Sequence, residues 1–400
     1  MPEPRNAADL DQPSSGPRAS NQEPATGQRL LLVTGPGRSG TSAVSGALNQ
    51  LGVHIPPPLV GRNESNERGF YETRWVVDFQ KEVLARAHTY EFDADPNAVR
   101  RIARVADEQT RSRLTDWLGG AVDGHRQVVI KDPRSIWLTD LWTEAARAHD
   151  LAISYLTMLR YPTEVAGSRS TYYGNIDDER KARDYAISKV AGWINVSLLT
   201  ERRTRGRRRV YLRYTDLLAD WRTALGRVRD GLGLEFSAPL APGEPSPVDD
   251  FISPELHRIR TGWNELDVPP ALQQLADDVW AACERLADEG GDADLGTEFD
   301  ALADRYGRLY RDAAAISSDT RASAVDRARS QASAKIERLN HKLTKTKRAL
   351  ATAEEELAAL EPNHRSGAAQ ALRRTSRGTA RRLRRLGRRV ARGVRSRLDR

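Results

Sequence analysis

The residues best suited to chemistry form one continuous run, Gly35-Pro36-Gly37-Arg38-Ser39-Gly40-Thr41-Ser42. It follows the apolar stretch Leu30-Leu31-Leu32-Val33-Thr34 and leads straight into a helical pattern. A strand, a Gly-rich loop and a helix in that order turn several backbone N–H groups and the positive helix end toward one point. An oxyanion held there is stabilised by both. The glycines permit the turn and close approach, Arg38 supplies a fixed charge, and Thr41 and Ser42 offer hydroxyls from the first helical turn. Gly37, Arg38, Ser39, Gly40, Thr41 and Ser42 are therefore the candidate contacts to a phosphate-like group. The spacing Gly35-x-x-x-x-Gly40 invites comparison with a nucleoside triphosphate loop, but that loop needs a lysine where Thr41 stands. No acid-terminated second strand suited to Mg²⁺ accompanies it. An ATP or GTP enzyme is disfavoured.

A second anion contact is predicted about 120 residues later. The apolar run Ile153 to Leu159 ends in Arg160-Tyr161-Pro162-Thr163-Glu164-Val165-Ala166-Gly167-Ser168. An arginine at a strand end offers a planar fork to a phosphate dianion, and Ser168 lies in the helix that follows. With Arg38 in place of a lysine, the first loop resembles the 5′-phosphosulfate loop of sulfotransferases that use 3′-phosphoadenosine 5′-phosphosulfate. The second segment resembles the same family's 3′-phosphate site, with Arg160 and Ser168 eight residues apart. A weaker match is Tyr214-Thr215-Asp216-Leu217-Leu218-Ala219-Asp220. There the resemblance implies a tyrosine near the adenine, although Tyr214 serves equally well as a core aromatic. The resemblance covers roughly residues 30–260 and implies no metal.

Sulfuryl transfer to a hydroxyl needs alignment, charge stabilisation at the leaving phosphate and a general base for the hydroxyl proton. Some members of the family place a histidine after the strand that ends in lysine, but here that segment reads Lys131-Asp132-Pro133-Arg134. Carbohydrate sulfotransferases instead use a glutamate after the phosphate-loop helix. Asn66-Glu67-Arg68-Gly69-Phe70-Tyr71-Glu72 fits that pattern, which favours Glu72 as the base over Glu67, with Asp132 a third candidate. Lys131 is assigned to the sulfonate or the acceptor. Asp132 with Pro133 reads equally well as a helix N-cap followed by proline at N1. Phe70, Tyr71 and Trp75 could stack on sugar faces or pack in a core. His54 is read as structural.

These residues must be positioned by an α/β scaffold. Apolar runs at 30–34, 127–131, 153–159 and 210–213 read as buried parallel strands. Helical patterns fill the intervals at 40–51, 74–90, 97–119, 138–149, 163–173, 180–203 and 215–232. The predicted fold is a P-loop-like parallel sheet flanked by helices over residues 29–310, preceded by a Pro/Ser-rich disordered segment, 1–28. From Ile336 the apolar residues step by 3 and 4 through Leu339, Leu343, Thr346, Leu350, Ala353, Leu357 and Leu360, and Pro362 stops the pattern. That seam predicts a coiled coil over 322–361 and a homodimer through it.

The chain holds 63 basic and 55 acidic residues in 400. Fourteen arginines against the single acid Asp399 fall in 365–400, so residues 1–364, with 49 basic and 54 acidic residues, are mildly acidic. The basic excess belongs to a tail, and specific nucleic-acid binding is not indicated. In the tail, Leu383, Leu386, Val390, Val394 and Leu398 underlie the arginines, a pattern suited to an anionic membrane surface. One cysteine, Cys283, excludes an internal disulfide. With no apolar leader and no run of 18 apolar residues, a cytoplasmic location at the inner membrane face is expected. The expected activity is a sulfotransferase acting on a carbohydrate or glycolipid hydroxyl. A small-molecule kinase and a non-catalytic coiled-coil adaptor stay open.

Overall fold

The computed structural model describes residues 27–63, 66, 68–173, 178–257, 260–289 and 293–360. The expected disordered N-terminus, Glu67 and the arginine-rich tail lie outside them, apart from the last two residues of the 1–28 segment.

Four strands form one parallel sheet: β1 (Arg29–Thr34), β2 (Gln127–Lys131), β3 (Ala152–Leu159) and β4 (Arg209–Arg213). Their spatial order is β2-β1-β3-β4, with Leu32 opposite Ile130 on one side and Tyr155 on the other. The strand runs are continuous in apolar residues because both faces are covered. Leu30 and Leu32 of β1 pack with Val128, Ile130 and Tyr155 under α2 (Arg74–Arg86), α4 (Glu108–Val122) and α5 (Thr139–Ala148). Leu31 and Val33 point the other way, toward α1 (Thr41–Gln50) and α9 (Trp221–Leu232). This is the period of two that any strand imposes. All four β1 residues Leu30 to Val33 are at most 1% exposed. Each such side chain contributes roughly 1.5–3 kcal/mol of burial.

The remaining helices are α3 (Ala98–Val105), α6 (Pro162–Tyr173), α7 (Glu179–Thr204), α8 (Tyr214–Ala219), α10 (Pro270–Glu289), α11 (Ala293–Ile316) and α12 (Ser318–Leu360). Two expected helices are each divided by an aspartate. Asp107 accepts a hydrogen bond from the Thr110 amide at 2.9 Å and starts α4, so 97–119 is two helices. Asp220 does the same for Thr223 at 3.1 Å and separates α8 from α9. A capping aspartate satisfies N–H groups that the helix itself leaves unpaired, which favours a new start over continuation. No element was expected between 233 and 310. There α10 and α11 pack on α7 through Val190, Trp193, Leu275, Val279 and Phe299.

The chain divides into two compact units, one to Tyr310 and one from Arg311. The described part of the second includes α12, a 43-residue helix. No helix among the described residues is long and apolar enough to cross a membrane.

Candidate active site

In a parallel sheet all strands end on the same edge, and ligands bind in the crevice beyond those ends. Here the C-terminal ends of the four strands deliver, in order, the Gly-rich loop, Lys131 with Asp132, Arg160, and Tyr214. The expected site residues are thereby brought together from positions up to 177 residues apart. Gly37, Arg38, Gly40, Thr41, Ser42, Glu72, Lys131, Arg160, Ser168 and Tyr214 line one cleft of about 390 Å³ with Arg68, Phe70, Glu91, Arg134, Arg169, Phe251 and Leu256. Six cationic side chains face two carboxylates in that lining, so the cleft suits an anion with several charges.

The loop is held by its geometry and by its neighbours. Gly40, the N-cap of α1, has φ +90°, and a Cβ there would lie 2.2 Å from the Tyr214 ring. A Cβ on Gly37 would meet the Glu91 carboxylate at 2.1 Å. Arg38 itself adopts φ +78°. That conformation aims its guanidinium at α6, where Nε donates to Ser168 Oγ at 3.0 Å. Arg160 Nη1 donates to the Arg38 carbonyl at 3.1 Å, and its guanidinium lies 5.2 Å from the Tyr214 ring centre. The two expected anion contacts are thus tied directly to each other. Arg160 Nε also donates to Glu164 Oε2 at 2.9 Å, and that oxygen faces His257 Nε2 at 2.8 Å. Tyr214 is buried and its hydroxyl donates to the Leu256 carbonyl at 3.1 Å. Its ring therefore serves as a packed wall of the cleft.

Thr41 and Ser42 line the cleft from the first turn of α1, whereas Ser39 does not. Ser39 is fully buried, and its backbone N–H turns back to the Pro36 carbonyl at 3.1 Å. It lies behind the loop, outside the cleft lining.

Glu72 and Lys131 meet. Lys131 Nζ donates to Glu72 Oε1 at 2.6 Å and to Ser42 Oγ at 3.2 Å, and Ser42 Oγ also accepts from Asn66 Nδ2 at 3.1 Å. Glu72 is fixed from behind by its own segment. Its carbonyl accepts from Val60 N at 2.8 Å, and Thr73 Oγ1 donates to the Pro56 carbonyl at 2.6 Å. Asp132 is fully buried. Its Oδ1 accepts from the Arg134 amide at 2.9 Å and from Arg134 Nη1 at 2.6 Å, capping the 3-10 turn Pro133–Leu138. Burial pushes its carboxyl up to about 7, with Arg134 opposing and Glu72 reinforcing the shift. The capping reading of Asp132 and Pro133 describes this geometry.

Glu91, Phe251 and Arg169 are among the cleft residues that carried no expected role. Glu91 accepts from Arg169 Nη1 at 3.1 Å beside Gly37, and Phe251 stands edge-on to Tyr71. Arg169 adjoins Ser168, which was its one available signal. Of the two readings open for Trp75, packing is the one seen: it stacks between Phe79 and Trp117, with centroids at 4.9 and 4.6 Å, against the core. Tyr71 packs on Phe251, so of the three aromatics only Phe70 lines the cleft. His54 stacks on His125 at 3.5 Å and bonds to the β2 backbone, outside the cleft lining.

No family model matches the chain, and no curated protein matches it. Among solved structures it is similar to the sulfotransferase domain from the Synechococcus PCC 7002 olefin synthase. That match has 17% identity and a TM-score of 0.36, and covers 65% of this chain and 96% of that one. A second similar structure is the sulfotransferase domain from the curacin biosynthetic pathway, with 16% identity, a TM-score of 0.33, and coverage of 55% and 79%. Likeness at this level assigns no activity to this chain.

Proposed function

We propose that the protein is a sulfotransferase that carries the sulfuryl group of 3′-phosphoadenosine 5′-phosphosulfate to a hydroxyl of a carbohydrate or glycolipid. The observation that carries this reading is that anion contacts from two different strand ends meet in one cationic cleft. The loop at the end of β1 and Arg160 at the end of β3 are joined through the Arg38–Ser168 and Arg160–Arg38 hydrogen bonds. A ligand with phosphate at both ends of a nucleoside matches two such contacts.

The residues present fit such a ligand. Six cations line the cleft, together with the Thr41 and Ser42 hydroxyls from the first turn of α1. When bound, the nucleotide supplies an activated sulfuryl group with a good leaving phosphate. Loop amides with Arg38, Thr41 and Ser42 would hold the 5′ end and stabilise charge there, and Arg160 with Ser168 would hold the 3′-phosphate. Lys131, bonded to Ser42 and Glu72, would serve the sulfonate or the acceptor. Glu72 would take the acceptor's hydroxyl proton at its carboxylate. Phe70 and Phe251 at the cleft provide aromatic surface for a sugar face, which supports the carbohydrate part of the reading. The arginine-rich segment 365–400 would hold the enzyme at an anionic membrane where glycolipid acceptors reside.

Calorimetry with 3′-phosphoadenosine 5′-phosphate, metal-free, beside Mg-ATP tests the assignment. Micromolar binding of the first, weakened by roughly 10- to 100-fold in Arg160→Ala, is expected from the loss of charge-assisted hydrogen bonds of about 1.5–3 kcal/mol. Tighter binding of Mg-ATP would indicate a kinase, and binding of neither would refute a nucleotide site.

A further inference from the structure

Helix α12 carries an apolar seam with nothing upon it among the described residues. Ile336, Leu339, Leu343 and Leu350 are 54, 37, 54 and 38% exposed. At 43 residues the helix is about 65 Å long, and an isolated seam of large apolar residues over that length favours a partner helix. The partner is identified by charge and by residue size together.

Charge is divided along the helix. Residues 335–348 hold six basic side chains (Lys335, Arg338, Lys342, Lys345, Lys347, Arg348) and one acid, Glu337. Residues 349–360 hold Glu354, Glu355 and Glu356 and no cation. A second copy in parallel register would set the basic half against the basic half and place Lys342 beside Lys347 of the other copy, twice. It would also put Thr346 opposite Thr346 and Ala353 opposite Ala353, leaving two seam layers without a large side chain.

Reversing one copy resolves both conflicts. When position 336 is set opposite 360, then 339 meets 357, 343 meets 353 and 346 meets 350. All eight seam positions are used, and each small residue faces a leucine: Ala353 against Leu343, Thr346 against Leu350. On the flank, Lys342 of each copy meets Glu356 of the other, against one like pair, Lys347 with its own copy, at the centre. We infer that α12 pairs antiparallel with α12 of a second copy over residues 336–360, making the protein a homodimer joined tail to tail.

The orientation has a signed test on the full chain. In sedimentation equilibrium, Lys342→Glu should raise the dimer dissociation constant severalfold, and adding Glu356→Lys should restore it. A parallel pair predicts the opposite, because the carboxylate introduced at position 342 would then face Lys347 of the other copy and tighten the dimer. Cross-linking supplies a second readout. Cys283, the one cysteine, is buried, so introduced thiols react alone. A mixture of the Lys342→Cys and Glu356→Cys proteins should join through a short bis-maleimide. Each variant by itself should not, because like positions would lie roughly 20 Å apart along the axis. Cross-linking of Lys342→Cys with itself, a monomer at tens of micromolar, or a dimer indifferent to both charge changes would each overturn the inference.

Discussion

The Lys131–Glu72 pair provides the most demanding test, because stability and turnover should fall on its loss while nucleotide affinity should not. Lys131 is 3% exposed and Glu72 12%, with 2.6 Å between Nζ and Oε1. Removing one member of a fully buried ion pair costs about 3–5 kcal/mol, since the other charge is left without a partner. Glu72 borders the open cleft, so water reaches it and Lys131→Met should cost about 2–3 kcal/mol, at or below the lower end of that range. Glu72→Gln keeps an oxygen acceptor for Lys131 and should cost less. In the double variant neither charge is present, so it should be more stable than the sum of the singles by about 2 kcal/mol. Urea unfolding of the four proteins measures this, and singles that add within about 0.5 kcal/mol would show that the two groups are not coupled. In turnover, Glu72→Gln should lower kcat by about 10²- to 10⁴-fold, the usual worth of a general base. The same change leaves the Lys131 charge unopposed, so affinity for 3′-phosphoadenosine 5′-phosphate should hold or rise. A scaffolding role would weaken affinity and turnover together. Turnover within tenfold of wild type would remove Glu72 as the base.

Three further perturbations follow from the site and its surroundings. Asp132 ionises from 3.8 in the unfolded chain but is held protonated to about 7 in the fold. The folded state therefore binds more protons between those values, and the stability this group contributes is lost as pH rises from about 4 to about 7. Asp132→Asn keeps the capping oxygen and should flatten that slope in thermal melts, whereas an unchanged slope would refute the assignment. Gly40→Ala should destabilise by about 2–4 kcal/mol, because a left-handed residue gains a Cβ and that atom overlaps the packed Tyr214 ring. A loss below about 1 kcal/mol on urea unfolding would mean that the loop can move away from Tyr214. Deleting 365–400 should abolish co-sedimentation with anionic liposomes, and retained binding would place the membrane contact elsewhere.

What the sequence made legible follows from where each constraint is written. The four strands were readable because a sheet covered on both faces demands unbroken apolar runs, and Leu30 to Val33 satisfy that demand within four consecutive residues. The loop and Arg160 were readable because a strand end in a parallel sheet is a chain-local place: whatever follows the last apolar residue stands at the crevice. Glu72 sits on no strand. It arrives beside Lys131 through a hook fixed by Val60, Pro56 and Thr73, so it was reached through resemblance to a family pattern. Its neighbour Glu91 had neither advantage. It lies in the connection between α2 and α3, where the Trp137 indole donates to its carbonyl at 3.0 Å and its carboxylate meets Arg169 over Gly37. All three of those contacts are tertiary, and no spacing in the chain encodes them. The same holds for Trp75, whose place depends on Trp117 rising from α4 to stack on it. Motifs therefore locate the groups that secondary structure delivers to the cleft. The groups that arrive by packing, Glu91 and Phe251 among them, carry no such mark in the chain and emerge only when the helices and connections are placed around the cleft.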